Sequence, residues 1–318
     1  MSVIHKTTWY GFDAWELESE ALRVVIVPEL GAKIVSLFDK LAAYEWLVAP
    51  MRPPRAVEYG AIFVEQDMSG WDEMMPTIDA CAYPVPGAYA NRYLPDHGEV
   101  WSLPWTRDES DDEVLSFSIQ GRALPYHLQR KTTLLHADTI QFEYQLTNLG
   151  AESLRYLCAA HPQFNVNAET IIILPPVVTA VYNVGVGRQW NQAGSRLPWP
   201  TAVGADGTRW QLDHIYPTSR RDCHKFYVPP EIPVSWAKLF HSRAGTTLRL
   251  AWSPDQVPYL GIWVDEGMYN SAPVVALEPA NGFYDSLARA YMNGRTAQLE
   301  PGAVQRWILD VSITQVDL

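Results

Sequence analysis

The stretch Ile140-Gln141-Phe142-Glu143-Tyr144-Gln145-Leu146 alternates apolar and polar residues without a break. Side chains of a β-strand point alternately to the two faces of a sheet, so this pattern predicts a strand that is buried on one face only. The same alternation occurs at residues 115–120 and again at residues 307–313. Strands of this kind are typical of antiparallel sheets, and they predict an all-β fold.

Apolar runs elsewhere extend the all-β pattern. Residues 22–28 are rich in β-branched side chains, and a Glu-Leu-Gly turn separates them from a second apolar run at residues 34–38. These two runs predict an early hairpin. Further strands are predicted at residues 155–164, 248–252, 260–264 and 274–277.

One short helix is expected, with Asp285 as its N-cap, residues 286–292 as its body and Gly294 just beyond its end. Residues 183–235 are rich in Gly, Pro and Trp without a clear period, so we expect long connections across one end of a sheet. The sequence contains no repeat and no evident linker. It therefore predicts one all-β domain of large packed antiparallel sheets, residues 1–318.

Composition restricts the classes of partner. The chain carries 24 Lys and Arg against 36 Asp and Glu, a formal net charge of -12, and it has no basic cluster. Nucleic acid and anionic membranes are therefore poor partners. Thirteen tryptophans and sixteen tyrosines offer flat faces on which sugar rings stack, although large β cores use the same residues.

The cysteines and the first residues bear on the compartment. Cys81, Cys158 and Cys223 are odd in number and far apart, which fits a reducing compartment better than a disulfide framework. The sequence shows no apolar signal segment and no run of about 18 apolar residues. We expect a cytoplasmic protein, as a monomer or a homodimer.

The candidate chemistry begins in the stretch Pro95-Asp96-His97-Gly98-Glu99. If Asp96 and Glu99 meet the imidazole between them, they favour its protonated form. Gly98 allows a backbone conformation that other residues resist, or close approach to a ligand. An ordinary surface loop would contain the same residues.

Two further polar residues follow apolar strands. His161 comes after an apolar run and precedes Pro162, and Glu278 directly follows the run 273–277. A carboxylate at the end of a buried strand must be paired, neutralised or solvated in a cleft. Each residue alone could be a hydrogen-bonded strand end. Together with His97 they could form an acid, a base and a polarising group at one end of a sheet.

Other motifs give weaker signals. Trp71 beside Asp72 could stack on a hydroxyl-rich ligand and accept a hydrogen bond from it, but a solvated turn fits equally well. His97-Gly98-Glu99 matches half of a zinc deaminase signature, yet no P-C-x-x-C follows. No phosphate-binding loop, dinucleotide fingerprint or G-x-S-x-G is present. We therefore expect neither a metal nor a redox cofactor.

Taken together, these residues resemble the galactose mutarotase (aldose 1-epimerase) superfamily over most of the chain. Four stretches carry the resemblance: one is similar to the N-terminal strand pair of the family, two to the segments with its two histidines, and one to the segment with its general base. The similar stretches are residues 30–37 with Asp39 and Lys40, residues 95–98, residues 148–150 with 160–165, and residues 277–279 with Asp285 and 299–302.

The resemblance implies a β-supersandwich and interconversion of the anomers of a free sugar. It implies that Glu278 takes the proton of the anomeric hydroxyl, that His161 protonates the ring oxygen and that His97 binds and polarises that oxygen. No cofactor is implied. Possible hydroxyl contacts are Asp72, Asp96 and Glu99, and possible stacking faces are Trp71 and Trp263.

The sequence departs from the family pattern at three places. Gln163 replaces a tyrosine. Glu99 follows His97-Gly98, where phosphosugar-type relatives carry an aromatic residue and then an arginine. Asp72 lies in the stretch ahead of Pro76 in which such relatives have an arginine. Acidic residues in place of basic ones favour a non-phosphorylated sugar. Two other functions stay open: a sugar-binding protein without catalysis, and a carbohydrate-cleaving enzyme that uses Glu99 and Glu278.

Overall fold

The computed structural model describes residues 3–109, 111–185, 187–190 and 192–315. Strands account for most of the regular structure, as the alternation predicts. In chain order the strands are β1 (Val3–Trp9), β2 (Phe12–Glu18), β3 (Leu22–Val27), β4 (Lys33–Asp39), β5 (Tyr44–Glu45), β6 (Trp71–Met74), β7 (Cys81–Ala82), β8 (Tyr93–Leu94), β9 (Thr106–Arg107), β10 (Val114–Gln120), β11 (Tyr126–His136), β12 (Thr139–Asn148), β13 (Leu154–Tyr156), β14 (Ala159–Pro162), β15 (Phe164–Asn165), β16 (Thr170–Ile173), β17 (Ala180–Asn183), β18 (Arg196–Pro198), β19 (Thr201–Val203), β20 (Arg209–Gln211), β21 (Asp222–Tyr227), β22 (Trp236–His241), β23 (Thr246–Trp252), β24 (Tyr259–Glu266), β25 (Val274–Ala280), β26 (Ala297–Leu299) and β27 (Val304–Gln315).

Two large sheets with antiparallel neighbours contain most of these strands. The first has 13 strands in the order β1-β2-β3-β4-β6-β14-β25-β24-β21-β17-β18, with β15 beside β25 and β5 beside β4. The second has eight strands in the order β16-β22-β23-β27-β12-β11-β10-β9. Three small pairs, β13-β26, β19-β20 and β7-β8, lie outside them. The all-β prediction is confirmed.

The main core lies between the inner faces of the two sheets. The apolar residues of the stretch 140–146 are all buried, whereas the polar residues between them are partly exposed. The ring of Trp71 on β6 packs against Phe142 on β12, with centroids 5.1 Å apart. Arg130 on β11 reaches across to Glu73 on β6, with Nη1 2.8 Å from Oε1. The sheets are thus joined by both apolar packing and a buried ion pair.

Several local predictions hold and others need correction. The early hairpin is confirmed as β3 paired with β4. The predicted strand 155–164 is wrong in extent, because it is divided into β13, β14 and β15, and β13 pairs with β26 in a separate small sheet while β14 and β15 pair with β25. The region 183–235 does contain long connections, but it also holds β21, which pairs with β24 deep inside the first sheet.

The only α-helix among the described residues is α1 (Leu287–Met292), followed by Gly294 at a φ of 67°. Its N-cap residue is Ser286, not Asp285 as predicted. The prediction failed because the Asp285 carboxylate is engaged by Tyr227. Within the described ranges no helix is long and apolar enough to cross a membrane.

Candidate active site

A cavity of about 160 Å³ opens on the outer face of the first sheet, the face turned away from the second sheet. Strand alternation puts it there, because Ile262 and Leu277 belong to the main core whereas Trp263 and Glu278, one residue later, line the cavity. Its thirteen lining residues are Val64, Met68, Met74, Ile78, Asp79, His97, His161, Cys223, Lys225, Trp263, Tyr269, Glu278 and Asp285.

The three residues expected to carry catalysis, His97, His161 and Glu278, all line this cavity. Nδ1 of His161 lies 3.0 Å from Oε1 of Glu278. The two imidazole rings are 5.7 Å apart between centroids. Residues separated by up to 181 positions in the sequence therefore meet in one site, because β14 pairs with both β25 and β6, and the 95–99 loop bonds to the segment that follows β6.

Glu278 is a buried carboxylate held between two partners. It has no exposed surface, and Lys225 Nζ donates a hydrogen bond to its Oε2. Burial alone would raise the pKa of Glu278, but the Lys225 ammonium and the His161 hydrogen bond outweigh it and lower the pKa to about 2. Gly261 faces Glu278 on β24, and a Cβ at that position would lie 3.0 Å from Oε2. The strand pairing thus leaves room for the carboxylate.

His161 is buried, with 4% of its surface exposed. Burial lowers its pKa, the Glu278 carboxylate acts in the opposite direction, and the positive charges of His97 and Lys225 lower it further. An imidazole next to an ionised carboxylate carries its proton on the nitrogen that faces it, here Nδ1. Among the described residues Nε2 has no hydrogen-bond partner. A ligand hydroxyl could supply one.

His97 is held in place by its own loop. Its φ is +57°, and the next residue, Gly98, has a φ of +74°. The imidazole stacks on Phe63 at 4.1 Å between centroids, and its Nδ1 lies 3.0 Å from Oδ1 of Asp96. The other oxygen of Asp96 accepts the backbone N–H of Phe63. Asp96 is not among the residues that line the cavity and it orients His97, while its direct contact with a sugar stays a prediction.

Gly98 is required by the tight packing under this loop. A Cβ on Gly98 would lie 2.1 Å from the backbone oxygen of Met75. That oxygen accepts the backbone N–H of Glu99 at 2.7 Å, which fixes the loop against the end of β6. The glycine therefore permits a close approach between two backbone segments, as the sequence predicts, but the approach is to protein.

Nine of the thirteen cavity residues were not predicted as site residues, and two of these, Lys225 on β21 and Asp285 after β25, form an ion pair beside Glu278. Lys225 Nζ lies 3.5 Å from Oδ1 of Asp285, which also accepts the hydroxyl of Tyr227 at 2.7 Å. Every residue of β21 is buried, on both faces. Its run Asp-Cys-His-Lys-Phe-Tyr shows no apolar alternation, so the sequence offered no signal for a strand or for its lysine. Asp285 was identified only as part of the resemblance and as a helix cap.

The remaining wall of the cavity is apolar and aromatic. Trp263, predicted as a stacking face, lines it with 9% of its surface exposed, and its ring is 5.9 Å from that of His161. Tyr269 lies at the mouth and is 40% exposed. A cavity with flat rings, thioether groups and a cluster of polar groups suits a small polyhydroxylated ring.

Trp71 and Asp72 were predicted as sugar contacts, and the structure contradicts both. They belong to β6, a buried strand and not a turn. The ring of Trp71 points into the core between the sheets, against Phe142. Asp72 has no exposed surface and lies 3.0 Å from Lys33 Nζ; burial raises its pKa to about 6 even though Lys33 opposes the effect.

Glu99 was predicted as a sugar contact and as one carboxylate of a cleaving pair; both roles are wrong. It has no exposed surface and does not line the cavity. Both of its oxygens are occupied by the protein: they accept the hydroxyls of Tyr59 and Tyr126 and the backbone N–H groups of Arg122 and Ala123. The carboxylate ties the 95–99 loop to the second sheet and is not free for chemistry.

Side chains that could together bind a metal ion lie outside the cavity. Within the described ranges one group of such side chains has the right spacing: His5, Glu16 and Glu18, on the edge strands β1 and β2. It lies outside the cavity, and Lys40 already neutralises Glu18 with Nζ 2.6 Å from Oε2. Inside the cavity Glu278 is bonded to His161 and Lys225, and Lys225 also pairs with Asp285, an arrangement that suits proton transfer.

No model of a known protein family matches the sequence, and no curated protein matches it. Solved structures do. A galactose mutarotase-like protein from Lactobacillus casei is 21% identical, with a TM-score of 0.70 over 95% of this chain and 100% of that one. A galactose mutarotase-like protein from Clostridium acetobutylicum is 12% identical, with a TM-score of 0.67 over 98% of both chains.

A third similar structure is a galactose mutarotase related enzyme from Lactobacillus acidophilus, which is 15% identical, with a TM-score of 0.66 over 96% of this chain and 100% of that one. Similarity at such low identity, over nearly the whole of both chains, establishes a common fold. The resemblance seen in the sequence is confirmed at this level: the chain has the fold of the galactose mutarotase-like proteins.

Proposed function

We propose that this protein is an isomerase of the aldose 1-epimerase type, which interconverts the anomers of a free, non-phosphorylated sugar. The observation that carries the proposal is the convergence of His97, His161 and Glu278 on a single cavity of about 160 Å³. The fold, shared with galactose mutarotase-like proteins, supports it. Ring opening needs one base and one acid at atoms a single carbon apart, and it needs no electron transfer.

In the proposed mechanism Glu278 takes the proton of the anomeric hydroxyl while His161 gives a proton to the ring oxygen. The bond between C1 and the ring oxygen breaks and leaves an open-chain aldehyde. Rotation about C1–C2 followed by closure, with both protons returned, gives the other anomer. His97, held by Asp96 and Phe63, polarises the ring oxygen, and Trp263 provides the face on which the sugar ring stacks.

Charge supports a substrate without phosphate. Three carboxylates, those of Glu278, Asp285 and Asp79, line the cavity together with one ammonium group, that of Lys225. A phosphate dianion there would be repelled. We also propose a cytoplasmic setting, since Cys81, Cys158 and Cys223 are unpaired thiols.

The test is anomerisation of freshly dissolved sugars, followed by NMR against a blank without protein. Glu278→Gln and His161→Ala should each lower the rate by about 10²–10⁴-fold, the usual contribution of a positioned acid or base. Glu45→Gln is the matched control, because it removes a half-buried carboxylate that lies outside the cavity and does not touch the 95–99 loop. If sugars bind but no variant changes the rate, the protein is a sugar-binding protein and the isomerase proposal is wrong.

The pH profile tests the division of roles. Since burial lowers the pKa of His161, an acid at this position loses its proton below about pH 6.5, the ordinary value for imidazole. The rate constant should therefore fall as the pH rises toward 6.5. A rate that increases over this range would show that neutral His161 is the base, with Nε2 taking the proton.

A further inference from the structure

Lys225 is the one basic side chain among the residues that line the cavity, apart from the two histidines. It is 7% exposed, and its ammonium group contacts Glu278 and lies 3.5 Å from Asp285. A buried ammonium is costly unless it is paired, and here both neighbours are carboxylates. Binding of an uncharged sugar does not by itself explain why an ammonium group is buried in this cavity.

The explanation lies in the burial of Glu278. A carboxylate with no exposed surface is strongly disfavoured, and without a positive partner it takes up a proton. A protonated Glu278 could not accept the proton of an anomeric hydroxyl. His161 supplies a hydrogen bond to Oε1, but it adds positive charge only while it is protonated, and burial lowers its pKa. Lys225, whose pKa its two carboxylate neighbours raise, is the partner that stays positively charged.

We propose that Lys225 is a positioning residue of this site, whose ammonium group keeps Glu278 ionised and fixes its carboxylate between Lys225 and His161. The inference rests on the proposed function for its catalytic consequence, but the ionisation itself can be measured without any substrate. Register explains the geometry: Lys225 pairs with Trp263 on β24, which pairs with Ala276 on β25, two residues before Glu278. Both side chains project to the outer face.

Other charged groups surround the pair, and the test must separate them from Lys225. Asp285 and Asp79 oppose ionisation of Glu278, and His97 favours it when protonated. Tyr227, whose pKa burial raises far above its ordinary value, is neutral and donates to Asp285. The titratable and charged groups that face the site are His97, His161, Lys225, Asp79, Asp285, Cys223, Tyr269 and Tyr227.

The direct experiment is ¹³C NMR of protein labelled at the glutamate side-chain carboxyl, with the Glu278 signal assigned by its loss in Glu278→Gln. In the wild type this signal should titrate near pH 2. In Lys225→Met it should titrate about 1–3 pH units higher, the usual effect of one adjacent charge. Lys225→Arg, which keeps the charge, should leave it within about one unit of the wild type.

Lys33→Met is the matched control, because Lys33 is also buried and paired with a carboxylate, that of Asp72, outside the cavity. It should not move the Glu278 signal. An unchanged Glu278 titration in Lys225→Met overturns the proposal, and so does an equal shift in Lys33→Met. If Lys225→Met does not fold, Lys225→Gln, which keeps a donor without charge, answers the same question.

Kinetics provide the second measurement. The acidic limb of the pH profile for anomerisation should move upward in Lys225→Met by the same amount as the NMR titration, and Lys225→Arg should restore it. A uniform loss of rate with an unmoved limb indicates a merely structural lysine and contradicts the proposal. If the wild type anomerises no sugar, the proposed function fails, while the NMR titration still decides the role of Lys225.

Discussion

Removal of the Glu278 charge has a consequence for folding that can be worked out from the site. The pKa of Glu278 is lowered from 4.5 to about 2 in the folded protein, because Lys225 and His161 outweigh the opposing effect of burial. A carboxyl whose pKa is depressed by folding stabilises the folded state above its unfolded pKa. That contribution is lost as the pH falls from about 4.5 toward 2.

The difference between 4.5 and about 2 corresponds to about 3 kcal/mol at ~1.4 kcal/mol per pH unit. Glu278→Gln has the same shape without the charge. At pH 7 the variant should therefore be less stable than the wild type by about 3 kcal/mol, and the two proteins should approach equal stability near pH 2. Burial is complete, so solvent does not screen the interaction.

The assay is urea unfolding followed by tryptophan fluorescence, at closely spaced pH values between 2 and 7. The quantity compared is the difference in the free energy of unfolding between the wild type and Glu278→Gln. Glu113→Gln, at an exposed position, is the control for loss of any one negative charge. A difference that stays constant between pH 7 and pH 2.5 would refute the reasoning, because it would show that Glu278 is not held ionised by its neighbours.

Three further predictions follow from the fold and the cavity. Arg130→Met should cost about 3–5 kcal/mol of unfolding free energy, because it leaves the buried Glu73 carboxylate without its positively charged partner, and the double variant with Glu73→Met should recover most of that loss. Chemical unfolding of the wild type and of both variants tests this. Gly98→Ala should cost at least about 1–2 kcal/mol from its left-handed backbone alone, with more from the clash with Met75, which a thermal melt will show as a lower Tm. Trp263→Ala should raise the KM for the sugar about tenfold, or ~1.4 kcal/mol, with a smaller change in kcat, because it removes a stacking face and no proton-transfer group.

Much of the architecture could be predicted because strand alternation is a local signal. The pattern at residues 140–146 fixes which face of β12 is buried, and that choice is confirmed residue by residue. The signal fails where both faces of a strand are covered. In β6 and β21 every residue is buried, and polar side chains are satisfied by partners far away in the sequence. Such strands have no alternation to detect.

The same limit explains which site residues could be predicted. His97, His161 and Glu278 could be identified because each interrupts an apolar or glycine-rich context near a strand end. Asp72 attracted attention because it lies beside Trp71, and Glu99 because it flanks His97, yet both are buried and bonded to protein partners outside the cavity. A single sequence shows that a carboxylate is in an unusual place, and only the fold shows which groups occupy its oxygens.

The contact of Lys225 with two carboxylates also affects a possible side reaction between this lysine and the open-chain sugar. Opening a sugar ring exposes an aldehyde, and an uncharged primary amine beside an aldehyde condenses with it to form an imine. Burial alone would lower the pKa of Lys225, but Asp285 and Glu278 together raise it. The nitrogen therefore keeps its third proton and has no lone pair with which to attack the open-chain sugar. Asp285, which remains paired with Lys225 while Glu278 carries the proton of the substrate, would thus protect the protein from glycation by its own intermediate.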